Sequence, residues 1–64
     1  MDIKQNAEYF KYLYRLQESG RTNMWGAAAY LQSEMGLGNN EAKEILLYWI
    51  QNYEAIAQEL GIET

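Results

Sequence analysis

Leaving the tyrosines aside, the hydroxyls that could act as nucleophiles are Ser19, Thr22, Ser33 and Thr64. A hydroxyl attacks only when a neighbouring base takes its proton, and the commonest such base, His, does not occur in the chain. Lys43 shares no motif with any of the four. Cys is also absent, so thiolate metal sites and disulfides are impossible. A Glu-x-x-His metal element is equally out of reach. The acidic residues are spaced along what read as solvated helix faces, whereas a metal needs ligands that converge. The residue types therefore point away from catalysis, and no catalytic residue, cofactor, metal or small-molecule substrate is expected.

Chemistry of recognition is better represented. The most unusual stretch is Thr22-Asn23-Met24-Trp25-Gly26, which leads into three alanines and then Tyr30-Leu31. Asn23 is a favoured helix N-cap, with Thr22 as the alternative. Gly26 then occupies the first turn, where Gly costs up to about 1 kcal/mol against Ala in a helix interior and less near the start. Such a residue is easiest to understand where a backbone or ring approaches closely. Trp25 falls about 100° from the middle of the helix's apolar stripe, beside Ala29. It either folds over the first helix as a lid on the core or anchors a partner, as Trp and Tyr do at binding hot spots. Arg21, next to free helix N–H groups, gives a weak anion-binding signal.

These residues must be positioned by helices. The chain contains no Pro, and Gly20 and Gly36 each follow a helical pattern, as expected where φ turns positive at a helix end. They divide 64 residues into three segments. The first helix runs from Asp2 or Asn6 to Ser19. Its charged residues Lys4, Glu8, Lys11, Arg15 and Glu18 fall within about 80° of arc, and apolar and aromatic residues spread over about 220°. The second helix starts at Asn23 and ends near Met35, with Met24, Ala27, Ala28, Leu31 and Met35 on one face. The third begins after Gly38 and continues to Leu60, roughly 30 Å. Ala42, Ile45, Leu46, Trp49, Tyr53, Ile56 and Leu60 form its inward stripe, and Leu47 points the opposite way. At its start, Gly38 as N-cap would place Glu41 in a capping box and let Leu37 staple onto Ala42. Short connections favour antiparallel or crossed neighbours. The expected fold is all-α, a single three-helix domain over 1–64, with a short middle helix crossing two longer ones in a helix-turn-helix-like arrangement.

A net charge of −4 is poorly suited to phosphate backbones, where affinity comes from Lys and Arg. The segment from Ala29 to Leu46 has helix-turn-helix character, but its would-be recognition helix opens with Glu41, Lys43 and Glu44. A lone cation between two carboxylates is repelled from a phosphate-lined groove. Met1-Asp2-Ile3-Lys4-Gln5 lacks the basic and then apolar order of a signal peptide, and no run approaches 18 apolar residues. The reading is of a soluble cytoplasmic protein.

The apolar content is 48% and the aromatic content 14%. A chain this short buries only about 60% of its unfolded surface, and its core rarely supplies more than roughly 3–5 kcal/mol. Association is the remaining way to gain stability. The first helix offers two candidate edges, Tyr9, Tyr12 and Leu16 on one side and Ile3, Ala7 and Tyr14 on the other. An edge left open there would seam a homodimer, with the third helix contributing from the side. The candidate interaction residues are thus Tyr9, Tyr12, Tyr14, Leu16, Asn23, Trp25, Gly26 and Leu47.

From Tyr9 to Trp49, the run Tyr-Phe-Lys-Tyr-Leu-Tyr-Arg-Leu-Gln-Glu-Ser-Gly, then Thr-Asn-Met-Trp-Gly-Ala, Tyr-Leu, Gly-Leu and Glu-Ala-Lys-Glu-Ile-Leu-Leu-Tyr-Trp resembles small uncharacterised helical proteins of bacteriophages and prophages. Those proteins would carry Phe where Trp25 stands and Ser or Thr where Gly38 stands. The resemblance implies a phage accessory protein acting in the host cytoplasm, and it transfers no activity. The expectation is a non-enzymatic protein that binds and modulates a host or phage protein, quite compatible with a homodimer. The alternatives are a helix-turn-helix nucleic-acid-binding regulator and a small virion or packaging component.

Overall fold

The computed structural model describes residues 1–62, and for Met24 the backbone alone. Thr64, one of the hydroxyls weighed above, and the Met24 side chain of the second helix's stripe lie outside the described residues. The chain opens on a turn over Asp2–Asn6. Asp2 Oδ1 accepts from the Gln5 N–H at 3.1 Å, and the Asp2 carbonyl accepts from Asn6 Nδ2 at 2.8 Å. Because the Asn6 side chain is turned back to Asp2, it does not cap the helix that follows. Helix α1 spans Ala7–Ser19 and ends at Gly20, where φ is 70°. It buries Phe10, Leu13, Tyr14 and Leu16 and exposes Glu8, Lys11, Arg15 and Glu18.

The middle helix starts as expected at Asn23, but its first turn is 3₁₀ over Met24–Gly26 before α2 covers Ala27–Met35. The Gly26 N–H donates both to the Asn23 carbonyl, at 3.1 Å, and to Asn23 Oδ1, at 2.9 Å. That i to i+3 bond is the closure that defines a 3₁₀ turn, and the side-chain bond is an N-cap. Ala27 and Leu31 are buried, and α2 stops at Gly36 with φ 69°.

Helix α3 spans Asn39–Gln51 after Gly38 in an extended conformation, and Gln32 Nε2 donates to Asn39 Oδ1 at 3.1 Å across the α2–α3 turn. The expected single helix to Leu60 is interrupted. At Asn52 the backbone leaves helical geometry, at φ −124° and ψ 31°, and a separate helix α4 covers Tyr53–Leu60. Both the Asn52 N–H and its Nδ2 donate to the Tyr48 carbonyl, each at 3.0 Å. Asn competes with the helix for backbone partners in this way. Beyond α4, the Gly61 N–H reaches the Gln58 carbonyl at 3.3 Å and the Ile62 N–H reaches Ala57 at 2.8 Å. This pair of bonds is a Schellman ending, with Ile62 folded against the core.

The described residues are thus all-α, with no strand among them. Helix α2 packs chiefly on α3, and α1 lies against both. The inward stripe is as read from the sequence: Ala42, Ile45, Leu46, Trp49 and Ile56 are buried, while Tyr53 and Leu60 pack partly buried at its margin. Tyr14, Trp49 and Tyr53 form an aromatic cluster with ring centroids 4.9–5.4 Å apart. Phe10 adds a contact to Tyr48 at 6.0 Å. The radius of gyration, 10.6 Å, is that of a chain folded to the usual compactness, about 11 Å for this length. No helix among the described residues is long and apolar enough to cross a membrane.

Candidate protein-binding surface

The eight candidate residues divide between core and surface. Tyr14 and Leu16, expected on open edges of the first helix, are core residues with 7% and 5% of their surface exposed. Tyr14 is covered by Tyr53: the Tyr14 hydroxyl donates to the Tyr53 carbonyl and the Tyr53 hydroxyl donates to Gln17 Oε1 at 2.6 Å. Tyr9 and Tyr12 are half-buried and pack against the core. Each expected edge of the first helix thus gives one member to the core, Leu16 from one and Tyr14 from the other, while Tyr9, Tyr12, Ile3 and Ala7 stay half-exposed.

Burial raises the Tyr14 phenol above its ordinary range. The nearby Trp49 indole N–H and the Ala57 backbone oppose the rise, and the Tyr53 ring adds to it. That indole N–H, buried with its ring, stands near the Tyr14 oxygen without the geometry of a hydrogen bond. Tyr12 is also raised, first by burial and then by Glu34 and Tyr30, with Arg21 pulling the other way.

Trp25 does not fold over helix one as a lid. Its side chain is 71% exposed, more than the other large exposed apolar residues, Met1 at 51% and Leu47 at 47%. Asn23 caps the turn that carries it, and a Cβ on Gly26 would run into Thr22 Oγ1, with Asn23 Oδ1 next at 3.5 Å. The close approach expected at Gly26 is therefore to the side chain of Thr22, not to another helix. Asn23 is exposed and Gly26 half-buried. Leu47 faces outward from α3, as its position in the repeat implied.

Beside the Trp25 turn lies a pocket of about 180 Å³ lined by Leu13, Leu16, Gln17, Thr22, Asn23, Ala27 and Trp49. Its floor is apolar and its rim carries an amide from Gln17, an amide from Asn23 and the Thr22 hydroxyl. This opening is not legible in the sequence, because its lining comes from three separated segments. A larger, shallower groove of about 740 Å³ runs along α1 past Lys11, Arg15 and Tyr53 to Ile62.

Ser19 Oγ donates to the Leu16 carbonyl at 2.7 Å, and Ser33 Oγ to that of Tyr30 at 3.4 Å. Both hydroxyls face their own helix backbone instead of a base. Among the described residues, no three carboxylates gather where they could hold a metal. Glu41, Lys43 and Glu44 are all exposed at the start of α3, so a helix laid in a DNA groove would present two carboxylates. What the surface offers is an indole in water, fixed on a capped turn, next to an apolar hole. No protein-family model, curated protein or solved structure matches the chain.

Proposed function

We propose that this protein acts without chemistry of its own, by binding another protein through the surface around Trp25. The observation that carries the reading is the 71% exposure of Trp25 on a turn that Asn23 caps. Removing a large apolar side chain from water contributes on the order of 1.5–3 kcal/mol, and Trp is among the residues that dominate measured binding energies. The exposed carboxylates of α3 weigh against nucleic acid as the partner. The likeness to small phage and prophage proteins adds that the partner would be a host or phage protein, met during infection. The test is retrieval of tagged protein from infected cells, comparing the parent with Trp25→Ala. A partner recovered stoichiometrically with the parent and lost from the folded variant is the expected result. Equal recovery with both, or a partner that is DNA, overturns the reading.

A further inference from the structure

We propose that the Trp25 surface is self-complementary: Trp25 of one copy seats in the pocket beside Trp25 of a second copy, and the exchange is reciprocal about a two-fold axis. This rests on the reading of that surface as a protein-binding one and names its occupant. An isologous contact requires that a protrusion and the recess that receives it lie on the same patch. Here they are adjacent in the chain. Thr22, Asn23 and Ala27 line the recess, and Trp25 projects from the turn between them. The recess suits an aromatic ring. Its volume is about 180 Å³, and an apolar protein cavity of about 150 Å³ accommodates benzene. Leu13, Leu16, Ala27 and Trp49 supply the apolar floor. An indole also needs an acceptor for its N–H when buried; Asn23 and Gln17 line the recess, and each has an amide oxygen that accepts one bond, from Gly26 and Tyr53 respectively, and keeps a second lone pair.

Charge selects the same face. Two chains of −4 repel one another, so they can meet only where the charge is absent or balanced. No Asp, Glu, Lys or Arg occurs from Thr22 to Ser33, and none lines the recess. Exposed Arg21 and Glu34, of opposite sign, flank the neutral stretch and give each copy a complement for the other. A standard interface covers about 800 Å² per partner, close to a fifth of the 4300 Å² that this chain exposes. A contact centred on one turn and one recess is expected to fall short of that and to dissociate reversibly, in the micromolar range or above.

Sedimentation equilibrium from 10 µM to 1 mM (concentrations on the order at which weak complexes form) should show a monomer–dimer equilibrium. Trp25→Ala, folded by circular dichroism, should weaken it by about tenfold or more. NMR on a mixture of ¹³C-labelled and unlabelled protein should show contacts between copies from the Trp25 ring to the Leu13, Leu16 and Ala27 methyls. A monomer throughout the range overturns the proposal, as does a dimer that Trp25→Ala leaves intact or one lacking those contacts. A monomer that still captures a foreign protein through Trp25 defeats the self-docking alone. A Trp25-mediated dimer with no foreign partner would instead support self-docking and narrow the protein-binding reading to self-association.

Discussion

At Gly26 the missing Cβ leaves room for the Thr22 hydroxyl, so the two positions should behave as a coupled pair. Gly26→Ala alone forces Thr22 to shift and should cost about 1 kcal/mol, the low end for overpacking. With Thr22→Ala in the background, the same change should be neutral or stabilising by up to about 1 kcal/mol, because Ala is the better helix former. Urea titration of the four proteins in this cycle reads the coupling directly, and independent effects would disprove the steric account. Tyr14 makes a prediction of a different kind. Burial raises its folded-state pKa above the unfolded value of 10.0, so the neutral phenol belongs to the folded state. Its contribution to stability is complete below about pH 10 and is lost as pH climbs through the raised folded value. The melting temperature should fall on the alkaline side of pH 10, and Tyr14→Phe should flatten that fall while losing some stability at neutral pH. An alkaline slope unchanged by the substitution would move its origin elsewhere. Trp25, by contrast, stands in solvent, and its removal should leave the melt of the monomer nearly unchanged.

Among the elements, the break between α3 and α4 rests on Asn52, where the backbone departs from helical geometry. Asn52→Ala removes a side-chain bond to the Tyr48 carbonyl, about 1 kcal/mol, and returns roughly half of that in helix propensity. The variant should therefore lose less than about 1 kcal/mol by chemical denaturation. It should keep the bend, because the Tyr53 ring is held by Tyr14, Trp49 and Gln17. Near-UV circular dichroism of the aromatic cluster reports whether it does, and a lost signal would mean that Asn52 alone sets the angle. This element also marks the limit of reading from sequence. The stripe from Ala42 to Leu60 was legible because a break of one residue barely disturbs the helical period. The break itself has only Asn as its sign, a residue that also occurs within helices. The helix ends at Gly20 and Gly36 and the cap at Asn23 were legible, since each rests on local backbone chemistry. The 3₁₀ character of Met24–Gly26 and the exposure of Trp25 were not, because both depend on where α1 and α3 lie. The apolar arc of α1 was real, but its coverage by Tyr53 is a contact between residues far apart in the chain.

For the molecule as a whole, charge is distributed unevenly. Up to Arg21, Lys4, Lys11, Arg15 and Arg21 outweigh Asp2, Glu8 and Glu18 and leave +1; beyond it, Lys43 stands against Glu34, Glu41, Glu44, Glu54, Glu59 and Glu63 and leaves −5. The ion pair found among the described residues, Lys4 with Glu59 at 4.0 Å, is exposed and adds little. Salt should therefore act mainly through repulsion between whole copies. Two charges of −4 with centres about 20 Å apart repel by about 3 kcal/mol in unscreened water. The distance follows from Cα extents of 26 × 25 × 17 Å. Screening leaves about 1.7 kcal/mol at 10 mM salt and about 0.3 kcal/mol at 0.15 M. Dimerisation through the neutral Trp25 face should therefore tighten about tenfold between these conditions. Binding to nucleic acid has the opposite sign, because it releases counterions and weakens as salt rises. Sedimentation at the two salt concentrations, with and without a short DNA duplex, separates the cases. Self-association that strengthens with salt, in a chain that never sediments with the duplex, is the expected outcome. Association that weakens with salt would show that opposite charges, not the neutral face, hold the copies together.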